Sequence, residues 1–185
     1  MDQALPIRQT GFGSWLGRLR AEPALAAPVA IFVISFATLA GAWFFEYVLK
    51  YLPCPLCLEQ RLPYHVVIPL SLLVAIAAYV RAPQKLIAAG LIVILIAVLC
   101  GAALGAYHAG VEWGFWEGPT DCSMPLTDLR TGGSIAKQVQ SVHVVLCTVA
   151  AWRFLGISLA GYNCLISLGM AAIAAWGLLS RRSAA

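Results

Sequence analysis

The stretch LIAAGLIVILIAVLCGAALGAYHAGV, residues 86–111, contains no Lys, Arg, Asp or Glu. A helix needs about 20 apolar residues to cross a hydrocarbon core about 30 Å thick, and this stretch exceeds that length. Three more stretches without charged residues are 28–45, 62–80 and 154–180. The sequence therefore predicts four membrane-spanning helices.

Composition supports the same class of protein. Of 185 residues, 61% are hydrophobic and 11% are charged, against roughly 25% charged in soluble domains. We expect an all-α integral membrane protein with one four-helix transmembrane bundle at 28–180, flanked by tails at 1–27 and 181–185. The first apolar stretch is longer than the roughly 7–15 apolar residues of a cleavable signal peptide. We therefore expect it to be a retained helix.

Basic residues predict how the bundle is oriented. Seven of them flank one set of helix ends: Arg8, Arg18, Arg20, Arg81, Lys85, Arg181 and Arg182. The positive-inside rule then places both termini in the cytoplasm and the loops at about 50–61 and 108–153 outside. The net charge of +4 follows from this orientation and gives no reason to predict a nucleic-acid partner.

The cysteines divide between loops and helices. Cys100 and Cys164 fall in the third and fourth apolar stretches, and four cysteines fall in the outer loops: Cys54, Cys57, Cys122 and Cys147. Four thiols allow three pairings, and the CxxC spacing favours one between the first two. Such a pair is typical of redox exchange, because a short loop restricts the unfolded chain little. Structural disulfides and a zinc site of four thiolates remain alternatives.

Two further residues are candidates for the same site. Arg61 follows Cys57 by four positions, where a cation lowers the pKa of a thiol or holds a polar oxygen of a ligand. His108 closes the third stretch and is a candidate donor to a quinone carbonyl. Each has a simpler interpretation, since boundary arginines extend to lipid headgroups and boundary histidines bond to the backbone.

The second outer loop contains a helical pattern. Its apolar positions recur at helical spacing and face polar ones: Ile135, Val139, Val142 and Leu146. This pattern predicts a short amphipathic helix on the membrane surface. Such a helix would return Cys147 over the bundle, toward Cys54.

Three motifs resemble the disulfide bond formation protein B family, DsbB, of bacterial inner membranes. They are CPLCLEQR at 54–61, YHAGVEW at 107–113 and WRFLG at 152–156, with Cys147 just upstream of the last. The resemblance covers about 28–180. It implies a protein-thiol:quinone oxidoreductase in the inner membrane, with its redox loops in the periplasm.

The resemblance also implies an order of electron transfer. Cys122 would exchange with the thiols of a periplasmic DsbA-like oxidase, a soluble protein of the thioredoxin fold. Cys147 would then attack Cys54 and release Cys57 beside a membrane quinone.

The same resemblance implies that Arg61 and His108 bind this quinone, either ubiquinone or menaquinone. Two other classes remain open. One is a non-enzymatic membrane protein whose outer loops are joined by structural disulfides. The other is a quinone-linked relative resembling the vitamin K epoxide reductases, although a CxxC between the first two helices with Arg61 after it argues against that class.

Overall fold

The computed structural model describes residues 17, 22–119 and 147–182 of the chain. Four of the helices in this part are long and apolar enough to cross a membrane, which confirms the predicted fold class. Cys122 and the predicted surface helix near 135–146 lie outside the described residues. The helices are α1 (Pro23–Trp43, extended by a π-helical turn at Phe44–Val48), α2 (Pro55–Glu59), α3 (Leu62–Tyr79), α4 (Gln84–Glu112) and α5 (Leu159–Arg182).

The four long helices pack as a ring in the order α1, α3, α4, α5, and the contact between α4 and α5 is the most extensive. Their inward faces form one apolar core, which includes Ile31, Leu91 and Met170. Large apolar side chains such as Leu73 and Ile96 point outward and are more than half exposed. This surface is suited to contact with lipid rather than water, because the hydrocarbon tails of lipids are as apolar as the exposed side chains.

The second span is interrupted just after the CxxC motif. Helix α2 ends at Glu59 and α3 begins at Leu62, so the segment from Cys57 to Arg61 is not one continuous helix. Pro63 falls in the first turn of α3, where its missing N–H group has no intrahelical partner to lose. The proline therefore fixes where the long helix starts.

The fourth span starts five residues later than the apolar stretch that predicted it. Residues 153–158 instead form a short antiparallel hairpin, in which Arg153 pairs with Ser158. The hydroxyl of Ser158 then accepts a hydrogen bond from the backbone N–H of Gly161, as an N-cap residue does. Hydropathy predicted the helix but missed this turn, because residues 154–158 of the hairpin are uncharged and continue directly into the apolar helix.

Gly105 sets the distance between α4 and α5. A Cβ atom at this position would lie 2.8 Å from the backbone nitrogen of Cys164 and 3.1 Å from the carbonyl oxygen of Ala160. Small residues at such contacts let membrane helices approach closely. The close approach matters for function because His108 and Asn163 lie on the same two helices, one turn or less from the contact.

We expect Gly105→Ala to destabilise the bundle by roughly 1–3 kcal/mol, because the added methyl group must push two backbones apart. Gly169→Ala on the exposed face of α5 is the matched control, since a Cβ atom there meets nothing within 4 Å. It should be neutral or slightly stabilising. Thermal unfolding of both variants in detergent measures the difference. Equal unfolding temperatures would contradict the assigned role of Gly105.

Candidate active site

The CxxC motif forms the start of α2. Cys54 is the N-cap residue in an extended conformation, Pro55 occupies the first turn, and the sulfur of Cys54 accepts a hydrogen bond from the backbone N–H of Cys57. The two Sγ atoms lie 2.6 Å apart, and both cysteines are free thiols. The local helix therefore holds the two sulfurs side by side, as reversible disulfide exchange requires.

Of the two thiols, Cys54 is the one whose thiolate form the surroundings stabilise more. A hydrogen bond from the Cys57 thiol lowers the pKa of Cys54 to about 5, and a weaker interaction with His108 acts in the same direction against the effect of burial. The sequence drew attention to Cys57, with Arg61 four residues later, and gave no sign that Cys54 would be the thiol of lower pKa in the free dithiol. The difference arises because the helix N-terminus and the neighbouring thiol both donate to Cys54.

A chain of hydrogen bonds connects the thiol pair to the fourth span. The Tyr64 hydroxyl donates to Asn163 Oδ1, and Asn163 Nδ2 donates to Gln60 Oε1 over 2.7 Å. Gln60 Nε2 lies 2.6 Å from His108 Nδ1, and His108 Nε2 lies 3.8 Å from Cys54 Sγ. Because the direction of each bond fixes the next, His108 Nδ1 is an acceptor and Nε2 carries the proton.

Arg61 forms an ion pair with Glu46, which comes from the π-helical turn at the end of α1. Single π-helical turns recur at functional sites because they redirect side chains out of the regular helical register. Both side chains are mostly buried, at 15% and 20% exposure. The pair therefore fixes the guanidinium at the same end of the bundle as the thiols.

These groups surround a cavity of about 310 Å³, which is within the size range of small-molecule sites. Cys57, Arg61 and His108 contribute to its polar side. Apolar residues of α1 and α5 form much of the remainder, among them Leu39, Ala42, Phe45, Leu159, Ala160 and Ile166. The cavity thus combines a thiol, a cation and an imidazole with an apolar wall, as a small amphiphilic ligand would require.

Cys147 lies at the same site although it is far away in sequence. It is fully buried and belongs to one cluster with Cys54, Leu56 and Val111, against which Cys57 also packs. It is disulfide-bonded. The structure therefore brings together three of the four predicted redox cysteines, and the fourth, Cys122, lies outside the described residues.

The remaining two cysteines, Cys100 and Cys164, are free thiols within α4 and α5. A zinc site of four outer thiolates is not formed here, because Cys147 is engaged in a disulfide. The ligand atoms of Cys54, Cys57 and His108 lie within 4.8 Å of one another, close enough to share a metal ion. Since the two sulfurs are in direct contact, we assign this group to thiol exchange and not to metal binding.

The sequence did not single out four polar residues of the site: Glu46, Gln60, Glu112 and Asn163. A general signal was available for two of them. Asn163 interrupts an apolar span, and Glu112 follows His108 by one helical turn, and polar groups at membrane depth usually serve a function. The position of Glu46 at the site depends on the π-helical turn, and that of Gln60 depends on the break between α2 and α3. The sequence predicted neither feature.

The fold and the site together define a membrane-embedded thiol–disulfide oxidoreductase. Residues 25–177 match the family model of the disulfide bond formation protein DsbB. Disulfide bond formation protein B of Stutzerimonas stutzeri strain A1501 is 32% identical over 168 residues, which are 85% of this chain and 98% of that protein. An uncharacterized protein of Rickettsia prowazekii strain Madrid E is 34% identical over 143 residues, 76% of this chain and 79% of that protein.

This chain therefore belongs to the DsbB family. Membership makes it a disulfide-forming oxidoreductase, and the family is helical, located in the inner membrane and linked in general to quinones. The four apolar spans agree with a multi-pass membrane protein.

The ionisation of Cys54 gives a pH-dependent prediction. The test uses a reduced variant that retains Cys54 and Cys57 and lacks the other four cysteines. Its thiolate absorbance should develop as the pH rises past about 5, because the pKa of Cys54 is lowered to that value. An ordinary cysteine titrates near 8.5. Cys57→Ala should raise this midpoint most, because it removes the largest cause, and His108→Ala should raise it less. A wild-type midpoint near 8.5 would contradict the described hydrogen bonds.

Proposed function

We propose that this protein is a protein-thiol:quinone oxidoreductase that reoxidises a periplasmic DsbA-like oxidase of the thioredoxin fold. Electrons would enter at Cys122 and Cys147, pass to Cys54 and Cys57, and leave on a membrane quinone. The observation that carries the proposal is the shared burial of Cys147 and Cys54 in one cluster, with Cys57 lining the adjoining cavity.

This placement supports one order for the relay. Cys147 is disulfide-bonded while Cys54, Cys57, Cys100 and Cys164 are free, which supports Cys122 as its partner in a chain of six cysteines. A thiol of the oxidase would attack Cys122 and release Cys147 as a thiolate. Cys147 would then attack the adjacent Cys54 of an oxidised CxxC pair and release Cys57 on the cavity side.

The residues around the cavity suit a quinone. Arg61 and His108 offer N–H donors for the carbonyl oxygens, and the apolar residues of α1 and α5 suit the ring and the isoprenoid tail. A bound quinone would supply a two-electron acceptor that also takes two protons. Once Cys54 is held in the mixed disulfide with Cys147, Arg61 is the cation in the cavity that can stabilise the Cys57 thiolate.

The redox energetics call for such an acceptor. DsbA-type oxidases have potentials near −120 mV, whereas structural disulfides lie below about −300 mV. A protein disulfide alone would therefore leave the oxidase reduced. An acceptor of higher potential at the end of the relay makes the whole transfer favourable.

We further propose that both termini lie in the cytoplasm and that the CxxC end faces the periplasm. Arg81 lies in the turn between α3 and α4, and Lys85 lies in the first turn of α4, both at the opposite end of the bundle from Cys54. This asymmetry follows the positive-inside rule, and it would place the thiols where a periplasmic oxidase can reach them.

The relay is tested with purified protein, a reduced DsbA-like oxidase and ubiquinone, by following quinone absorbance and the thiols of the oxidase together. Wild type should consume one quinone per dithiol. Cys54→Ser and Cys147→Ser should abolish turnover, because each removes a sulfur that must form a disulfide.

Cys100→Ala and Cys164→Ala are the matched controls, since these thiols lie in the helices away from the cluster, and both variants should retain turnover. If wild type exchanges thiols but reduces no quinone, the protein is not a thiol:quinone oxidoreductase. Full turnover in Cys147→Ser would refute the proposed path between the two cysteine pairs.

Arg61 tests the quinone site separately. Arg61→Met should raise the quinone KM about tenfold or more, because losing a hydrogen bond from a charged group costs roughly 1.5–3 kcal/mol. Arg61→Lys should have a smaller effect, since lysine keeps the charge but not the planar set of donors. Exchange between the oxidase and Cys122 should persist in both variants. An unchanged quinone KM in Arg61→Met would show that the arginine only anchors the helix.

A further inference from the structure

Glu112 is a buried acid in the wall of the cavity whose role the relay does not explain. Its side chain is 5% exposed and it lines the cavity together with Cys57 and His108. Within residues 22–119 and 147–182, its Oε2 atom is the one buried side-chain oxygen or nitrogen without a hydrogen-bond partner. A buried carboxylate with an unpaired oxygen is costly, whereas a protonated carboxyl group is much less so.

His108 connects this acid to the thiols. Its Nε2 atom lies 3.8 Å from Glu112 Oε1 and also 3.8 Å from Cys54 Sγ. Because Gln60 donates to Nδ1, the ring nitrogen that can donate is Nε2. Its N–H group can donate to the thiolate of Cys54 or to the carboxylate of Glu112, but not fully to both.

The redox state of the thiols therefore acts on the acid. In the disulfide state no negative charge lies on Cys54, and the N–H group of His108 is available to a Glu112 carboxylate. In the dithiol state Cys54 is a thiolate that takes this donor and also repels a second negative charge nearby. Reduction of the pair thus takes away the donor that a Glu112 carboxylate could use.

We propose that Glu112 takes up a proton when the Cys54–Cys57 disulfide is reduced and releases it to the electron acceptor when the disulfide forms again. The inference rests on the proposed function for the identity of the acceptor, a quinone. The uptake of the proton on reduction depends on the thiols alone.

The reaction balances with this proton included. The Cys54 thiolate, the Cys57 thiol, protonated Glu112 and one quinone yield the disulfide, the Glu112 carboxylate and one quinol. Two electrons leave the sulfur atoms as the S–S bond forms. One proton comes from Cys57 and the other from Glu112, and the total charge stays at minus one on each side.

Other polar groups of the cavity are less suited to this role. Glu46 is the second acid there, but its carboxylate is held by Arg61. The Tyr64 hydroxyl donates to Asn163, and this bond sets the direction of the chain that ends at His108. Glu112 is the acid in the cavity wall that has an oxygen free to gain a proton.

Infrared difference spectroscopy on protein without added quinone tests the proton uptake directly. The reduced-minus-oxidised spectrum should contain a C=O band of a protonated carboxyl group, and Glu112→Gln should remove it. Glu46→Gln should retain the band, as should Glu59→Gln, an exposed residue of α2. Glu112→Asp should keep a carboxyl band at a shifted frequency. A band that is absent in wild type, or unshifted in Glu112→Asp, overturns the proposal even if the glutamine variant does not fold.

Turnover provides the second measurement. Glu112→Gln should slow oxidation of the reduced CxxC by quinone about 100-fold, the lower range for a positioned proton donor, while the quinone KM and exchange with the oxidase stay the same. Glu46→Gln should instead raise the quinone KM, because it releases Arg61. Unaltered oxidation in Glu112→Gln would refute proton delivery. Failure of wild type to reduce quinone would refute the proposed function and leave the infrared result as an independent test of Glu112.

Discussion

The site depends on satisfying polar groups at one end of a bundle that is otherwise apolar. Tyr64, Asn163, Gln60 and His108 form one chain of hydrogen bonds, and it joins the second, third and fourth spans. Unpaired polar groups cost several kcal/mol in hydrocarbon, so the chain must form as a whole. Its completion fixes the position of the imidazole proton and, through it, a donor for the Cys54 sulfur.

The ion pair between Arg61 and Glu46 completes this arrangement from the first span. Arg61 is therefore held by an acid before any ligand enters, which keeps a buried cation compensated. A ligand that accepts hydrogen bonds from the guanidinium would share it with Glu46. Binding would depend on the π-helical turn that presents the acid, although this turn lies outside the CxxC motif.

Much of the fold was predictable from the sequence because lipid imposes a simple rule on composition. Long uncharged stretches identified all four spans, and the CxxC spacing with Arg61 and His108 identified the end at which the site lies. The start of α5 was placed too early because residues 154–158 of the hairpin are uncharged and extend the apolar stretch. The lowered pKa of Cys54 in the free dithiol could not be predicted, because the cap geometry of Cys54 and the direction of the hydrogen bonds through Asn163 depend on three-dimensional packing.

The anchoring of Cys147 has a kinetic consequence. The segment that carries it is held by the Tyr162 hydroxyl, which donates to the carbonyl of Phe154, and by the contact between the Trp152 and Phe45 rings at 5.5 Å. In the proposed relay, the attack of Cys147 on Cys54 is then intramolecular, with an effective concentration of at least the millimolar order typical of short tethers. This internal step would not slow when the soluble oxidase is scarce. The rate of turnover would then be set by the rate at which the protein encounters the oxidase, until the membrane acceptor becomes limiting.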